Sequence, residues 1–293
     1  MNLNNNNYNR GPVNGGSATK TKNGSFFRSN PVLNRLNKVD ERAQDDSSAT
    51  YGGIALKTAF MLLCTIAGMM LYLWLEKAVF SGQADIMRFN YRGFEVSASA
   101  MQLGFFAGAG ILAIVMQLLA AFVRTTIPVT GTIYSLCQGF IISFLVFTVL
   151  HGYEYLGILA LAITVVVVFA MALLYTKGII KVSRKFHMII LTLVAAMIGI
   201  SIVTFIGYLI PFTRGIVSQI IGHPGISFAL TLISIVIASL FLISDFAMID
   251  SIVENKYPAK YEWAAAFGLT FTILWLYVKI LDLLIQIVGN NKN

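Results

Sequence analysis

The stretch 269–289 reads LTFTILWLYVKILDLLIQIVG, and its polar members decide the fold. At 1.5 Å rise per residue it spans roughly 30 Å, the thickness of a bilayer's hydrocarbon core. Thr272, Lys279, Asp282 and Gln286 fall within about 80° of one another on a helical wheel, forming one polar stripe on an apolar helix. An ionised side chain near the bilayer centre costs about 2.5–3.5 kcal/mol, so a helix carrying this stripe cannot face lipid. The stripe must face other helices or water. The expected fold is therefore all-α: a polytopic transmembrane helical bundle of seven spans with the seventh helix central.

Working outward, the chain is 57% hydrophobic and 12% charged, about half the charged share of a soluble globular protein. Its apolar residues form runs near the membrane-spanning length, predicting spans at 54–75, 101–123, 131–150, 156–175, 186–208, 225–249 and 263–288. Residues 49–293 read as one seven-span transmembrane domain. Residues 1–48 hold eleven asparagines with Gly, Ser, Arg and Lys. They have too few large apolar groups to offset the entropy of ordering and read as a disordered cytoplasmic tail. No cleavable leader is expected, so the first span serves as a signal anchor.

The net charge of +8 raises nucleic acid as a partner, but the basic residues follow membrane topology instead. Fourteen of the 21 lie on the N-terminal side; Lys77, Arg88, Arg92, Arg214 and Lys292 lie on the other, and Lys57 and Lys279 lie within spans. The asymmetry predicts a cytoplasmic N-terminus and a C-terminus outside. The expected surroundings are a lipid bilayer, not nucleic acid.

Lys57, within a turn of the start of span one, is expected to snorkel to the interface. In span six, Thr231, Ser234, Ala238 and Asp245 share a face, while span three supplies Gln138 with Ser135 and Ser143. Lys279 and Asp282, three residues apart, can pair locally; Asp250 and Glu254 read as a solvated helix end. Gly104 and Gly108 sit one turn apart in span two, which predicts close packing within the bundle. His151, His187 and His223 read as surface residues, and Cys64 and Cys137 as buried apolar groups. The sequence carries no nucleophile elbow, zinc-binding histidine pair, phosphate-binding glycine loop or dinucleotide fingerprint. The expectation is a protein without enzymatic activity, metal or cofactor.

Three further stretches, SNPVLNRL at 29–36, ATYGGIALKT at 49–58 and KYEWAAAFGL at 260–269, together with LWLYVKIL at 274–281, resemble the bacterial YccA-like branch of the Bax inhibitor family. The resemblance implies six helices around a seventh, an inner bacterial membrane, and kinship with pH-sensitive calcium-leak proteins. Those relatives use one aspartate in each of the last two spans as a proton-sensitive gate. Asp245 matches the first; Lys279 stands where the second would be, and Gln138 where span three often carries an acid.

Taken together, these features suggest a calcium or other cation leak protein with a modified gate, in which Asp245, Lys279, Asp282, Gln138 and Gln286 are the candidate path or gate residues. Asp245 or Asp282 is the candidate partner of Lys279. The alternative, implied by the YccA kinship, is a non-conducting regulator that binds a membrane-anchored protease.

Overall fold

Backbone N–H and C=O groups have no water to bond inside a bilayer, so apolar runs of this length must satisfy them within helices. A computed structural model describes residues 48–80, 85–180 and 182–290. The expected disordered tail and the 29–36 motif lie outside the described residues. Helix α1 (Tyr51–Leu75) starts at Thr50, whose hydroxyl accepts the Gly53 N–H at 3.0 Å, and ends in a π-helical turn, Glu76–Phe80. Next comes an antiparallel hairpin, β1 (Ile86–Tyr91) and β2 (Phe94–Ser99), paired from Ile86–Ser99 to Tyr91–Phe94. Helix α2 (Ala100–Phe122) opens with a capping box between Ser99 and Gln102. Then follow α3 (Ile127–Ser143, with a π-helical turn Phe144–Val149), α4 (Tyr155–Thr176), α5 (Arg184–Leu209), α6 (Pro211–Gly222), α7 (Pro224–Glu254) and α8 (Tyr261–Asn290).

Seven of these helices are long and apolar enough to cross a membrane, as the sequence predicts. Helix α6, at 12 residues, is too short to be an eighth. It was not expected, although Pro211 and Pro224 bracket it and each begins a helix. The third span also begins earlier than expected. Pro128 lies in the first turn of α3, where a missing N–H removes no helical bond.

Helix α8, the seventh span, packs against α1, α3, α4 and α7, which makes it the shared partner of the bundle. Helix α3 is more deeply buried still: 61% of its most apolar window is buried against 44% for α8, while α2 at 11% and α5 at 6% are the most exposed spans. They lie against α3 and α7 respectively.

Close helix contact does not occur where the glycine spacing in span two predicted it. A side chain at Gly104 or Gly108 would meet nothing within 4 Å, because α2 turns these residues toward an apolar groove of about 600 Å³ bordered by α1 and α3. The backbone crossing is instead between α1 and α3. A Cβ at Gly68 would lie 2.1 Å from the Leu136 carbonyl oxygen, and one at Gly139 would lie 1.9 Å from that of Thr65.

Gly139→Leu should therefore force α1 and α3 apart and lower the melting temperature in detergent by about 10 °C, the scale of a strongly overpacked core. Gly104→Leu should leave it within about 2 °C. Equal shifts for the two substitutions would contradict this crossing.

Candidate functional site

Glu262, in the first turn of α8, is 4% exposed and so must be compensated within the protein. The Thr50 N–H donates to Oε1 at 2.8 Å, the Thr50 hydroxyl donates at 3.3 Å, and Lys57 forms an ion pair with Oε2. Gly53 leaves the necessary space, since a Cβ there would lie 2.3 Å from the carboxylate oxygens. Lys57 also lies over the Trp263 ring, 5.4 Å from its centroid. Lys57, expected to snorkel at the start of span one, finds a counter-charge there, because Glu262 lies in the first turn of α8. The motifs at 49–58 and 260–269, far apart in sequence, form one site.

Asp250 is likewise no solvated helix end. Tyr51 donates to its Oδ1 at 3.0 Å and Tyr175 to its Oδ2 at 2.6 Å, tying α1 and α4 to α7.

About one turn and a half N-terminal to Asp250, Asp245 is 4% exposed, and its Oδ2 has no hydrogen-bond partner among the described residues. It faces α8 at Gly268, where an added Cβ would lie 3.7 Å from Oδ1. Thr272, one turn along, is buried and donates to the Gly268 carbonyl at 3.1 Å. Lys279 lies eleven residues beyond Gly268, about 16 Å along the helix. It is half-buried and forms no ion pair among the described residues, with Asp245 or with Asp282. Both candidate pairings are thus corrected, the one with Asp245 by helix rise and the one with Asp282 because that carboxylate turns to Arg92. Gln138 is half-buried on α3 and makes no hydrogen bond to Asp245. Next to Asp245, the buried Ser244 hydroxyl lies 2.8 Å from Nδ1 of His187, so that histidine is anchored to α7 although its side chain is exposed.

The remaining stripe residues meet near the other end of α8. The Asp282 carboxylate forms an ion pair with Arg92 at 3.1 Å through Oδ1 and accepts the Thr231 hydroxyl at 2.9 Å through Oδ2. Gln286 donates to the Thr231 hydroxyl oxygen at 2.7 Å and to Asp282 Oδ2 at 3.2 Å. Arg92 comes from the β1–β2 turn, which the sequence reading treated as an outer loop. Alternation in β2, with Phe94, Val96 and Ala98 buried and Glu95 and Ser97 exposed, was the readable signal for it. In the same turn region, burial raises the Tyr91 phenol above its ordinary pKa. In the 150–154 connection, the backbone N–H of Gly152 holds the Glu154 carboxyl below its usual range.

Apart from Glu262 and Asp250, the polar residues discussed on α7 and α8 lie at two separate levels. Asp282, Gln286 and Thr231 come together with Arg92, whereas Asp245 and Thr272 lie about 15 Å from them along the bundle, the rise of the ten residues from Thr272 to Asp282. A shared-proton pair of carboxylates is not assembled among the described residues. A carboxyl like Asp245, buried in a membrane bundle beside the Thr272 hydroxyl but with one oxygen unbonded and no counter-charge among the described residues, is neutralised by a proton or balanced by a cation.

A sequence model of the family described as Bax inhibitor 1 like matches residues 30–289. A search of curated proteins finds no match to the chain.

The Lys57–Glu262 pair gives a direct test of the site at the start of α8. Lys57→Met and Glu262→Gln should each lower the melting temperature by about 8 °C, because each leaves a partly buried charge uncompensated. The double variant should lose clearly less than the two shifts combined. Strictly additive losses would mean that the two side chains do not act as a pair.

Proposed function

The chain belongs to the Bax inhibitor 1 like family, and on that footing we propose that this multi-pass membrane protein is a cation leak protein, with calcium as the leading candidate ion. Its path would follow the polar face of α8, closed in the present arrangement. The supporting observation is Asp245: a carboxyl 4% exposed, with an oxygen unbonded among the described residues, set against a glycine of the central helix. Retaining an acidic group in such a place is unfavourable unless a proton or a cation uses it. In the calcium-leak relatives implied by the resemblance, the matching aspartate works with a second one. Here Lys279 stands at that second position, about 16 Å along α8 from the glycine that Asp245 faces, so the gate would operate with a single carboxyl. The asymmetry of Lys and Arg favours a cytoplasmic N-terminus, and the likeness to the YccA branch favours a bacterial inner membrane.

Calcium flux into dye-loaded proteoliposomes tests this reading. Asp245→Asn keeps the size of the side chain and removes its titration, and should change the flux by about tenfold, the scale of one lost charge interaction. Unchanged flux would remove Asp245 from the mechanism. The alternative reading, a non-conducting regulator of a membrane-anchored protease, predicts no protein-dependent flux from either form.

A further inference from the structure

We propose that the β1–β2 turn is a built-in plug: the Arg92 guanidinium occupies, as a tethered cation, a site that Asp282, Thr231 and Gln286 would otherwise offer to a free cation. The inference rests on the cation-path reading above and concerns its closure near the C-terminal end of α8.

Arg92 is placed by an unusual backbone. Arg92 and Gly93 are the two linking residues of the hairpin, and both have positive φ, +51° and +83°. Two-residue hairpin loops favour this conformation, but it is unfavourable for a residue with a Cβ. The Asn90 side chain accepts the Gly93 N–H at 3.0 Å and stabilises the turn. The turn also seats directly on α8. A Cβ at Gly289 would lie 2.0 Å from the Arg92 carbonyl oxygen, and one at Gly93 would lie 2.8 Å from that of Gly289. Behind it, Phe94 is buried edge-on against Tyr153 at 5.4 Å. The hairpin is thus fitted to the helix end by glycines on both sides, with Arg92 delivered to the carboxylate.

Arg92 meets the Asp282 carboxylate, and the Thr231 hydroxyl and Gln286 amide are bonded to that carboxylate, so the cluster holds groups of the kind that bind a hard cation, the amide after a rotation that presents its oxygen. If Arg92 withdrew, Asp282 would be left as a partly buried anion, so exchange for another cation is the favoured way to release it. The side chains of Arg92 and Asp282 remain 29% and 20% exposed, which leaves a competing ion access to the pair.

Two readouts test the plug. In proteoliposomes, Arg92→Gln should raise calcium flux about tenfold over wild type, and Arg92→Lys, which keeps the charge but not the fork, should give a smaller rise. Separately, a thiol at Gln286→Cys, with Cys64→Ala and Cys137→Ala, should react with a positively charged, membrane-impermeant reagent in nanodiscs about tenfold faster when Arg92→Gln is added. If wild type conducts and Arg92→Gln leaves both flux and thiol reactivity unchanged, the plug is wrong and the cation-path reading stands. If no variant conducts yet the thiol becomes more reactive, the hairpin closes this site and the conduction reading fails. If Arg92→Gln is not recovered folded, Arg92→Lys decides: a rise in thiol reactivity supports the plug and an unchanged rate overturns it.

Discussion

A bilayer offers no partner for a charge or an unpaired polar group, and in this protein that constraint falls on one helix. Helix α8 carries a glutamate, a lysine, an aspartate and a glutamine along 30 residues. Much of the surrounding architecture supplies what those side chains need. Glu262 draws in the start of α1 through Thr50 and Lys57. Asp282 and Gln286 draw in α7 through Thr231 and the β1–β2 turn through Arg92. Helices α2 and α5 have no such task, and they are the least buried of the seven spans.

The two ends, each tied by an ion pair, enclose a stretch in which a buried acid has none. Between the Glu262 and Asp282 clusters, Asp245 faces Gly268 with an unbonded oxygen, and Lys279 stands without an ion-pair partner among the described residues. The middle of α8 is otherwise apolar, with Leu274, Leu276, Tyr277, Ile280 and Leu281 in the main hydrophobic core, so Asp245 is an isolated acid at its edge. The two-carboxylate arrangement that the family resemblance implied is not assembled here. Gly268, which Asp245 faces, is about 21 Å along α8 from Asp282, the nearest acid further along that helix, a separation fixed by helix rise.

The spans and the central position of the last helix were readable from sequence because both follow from periodicity. An apolar run of bilayer length predicts a span, and the 100° spacing of Thr272, Lys279, Asp282 and Gln286 predicts which face is internal. The partners of that face were not readable. Whether Asp282 meets Lys279, three residues away, or Arg92, almost two hundred residues away, is a tertiary matter, and local spacing favoured the wrong choice. The counter-charge of Lys57 was hidden for the same reason, since Glu262 lies about two hundred residues away. The hairpin left a weak alternating signal, and the glycine pair in α2 was misleading because spacing alone does not say which face a helix presents to its neighbour.

The central proposal is that cations pass along the face of α8 that carries Thr272, Asp282 and Gln286, next to Asp245. The most direct measurement compares calcium uptake by sealed vesicles reconstituted with the wild-type protein against protein-free vesicles of the same lipid. The account predicts uptake that scales with the amount of protein inserted. Uptake equal to that of the protein-free vesicles, with correctly folded protein present, would contradict it.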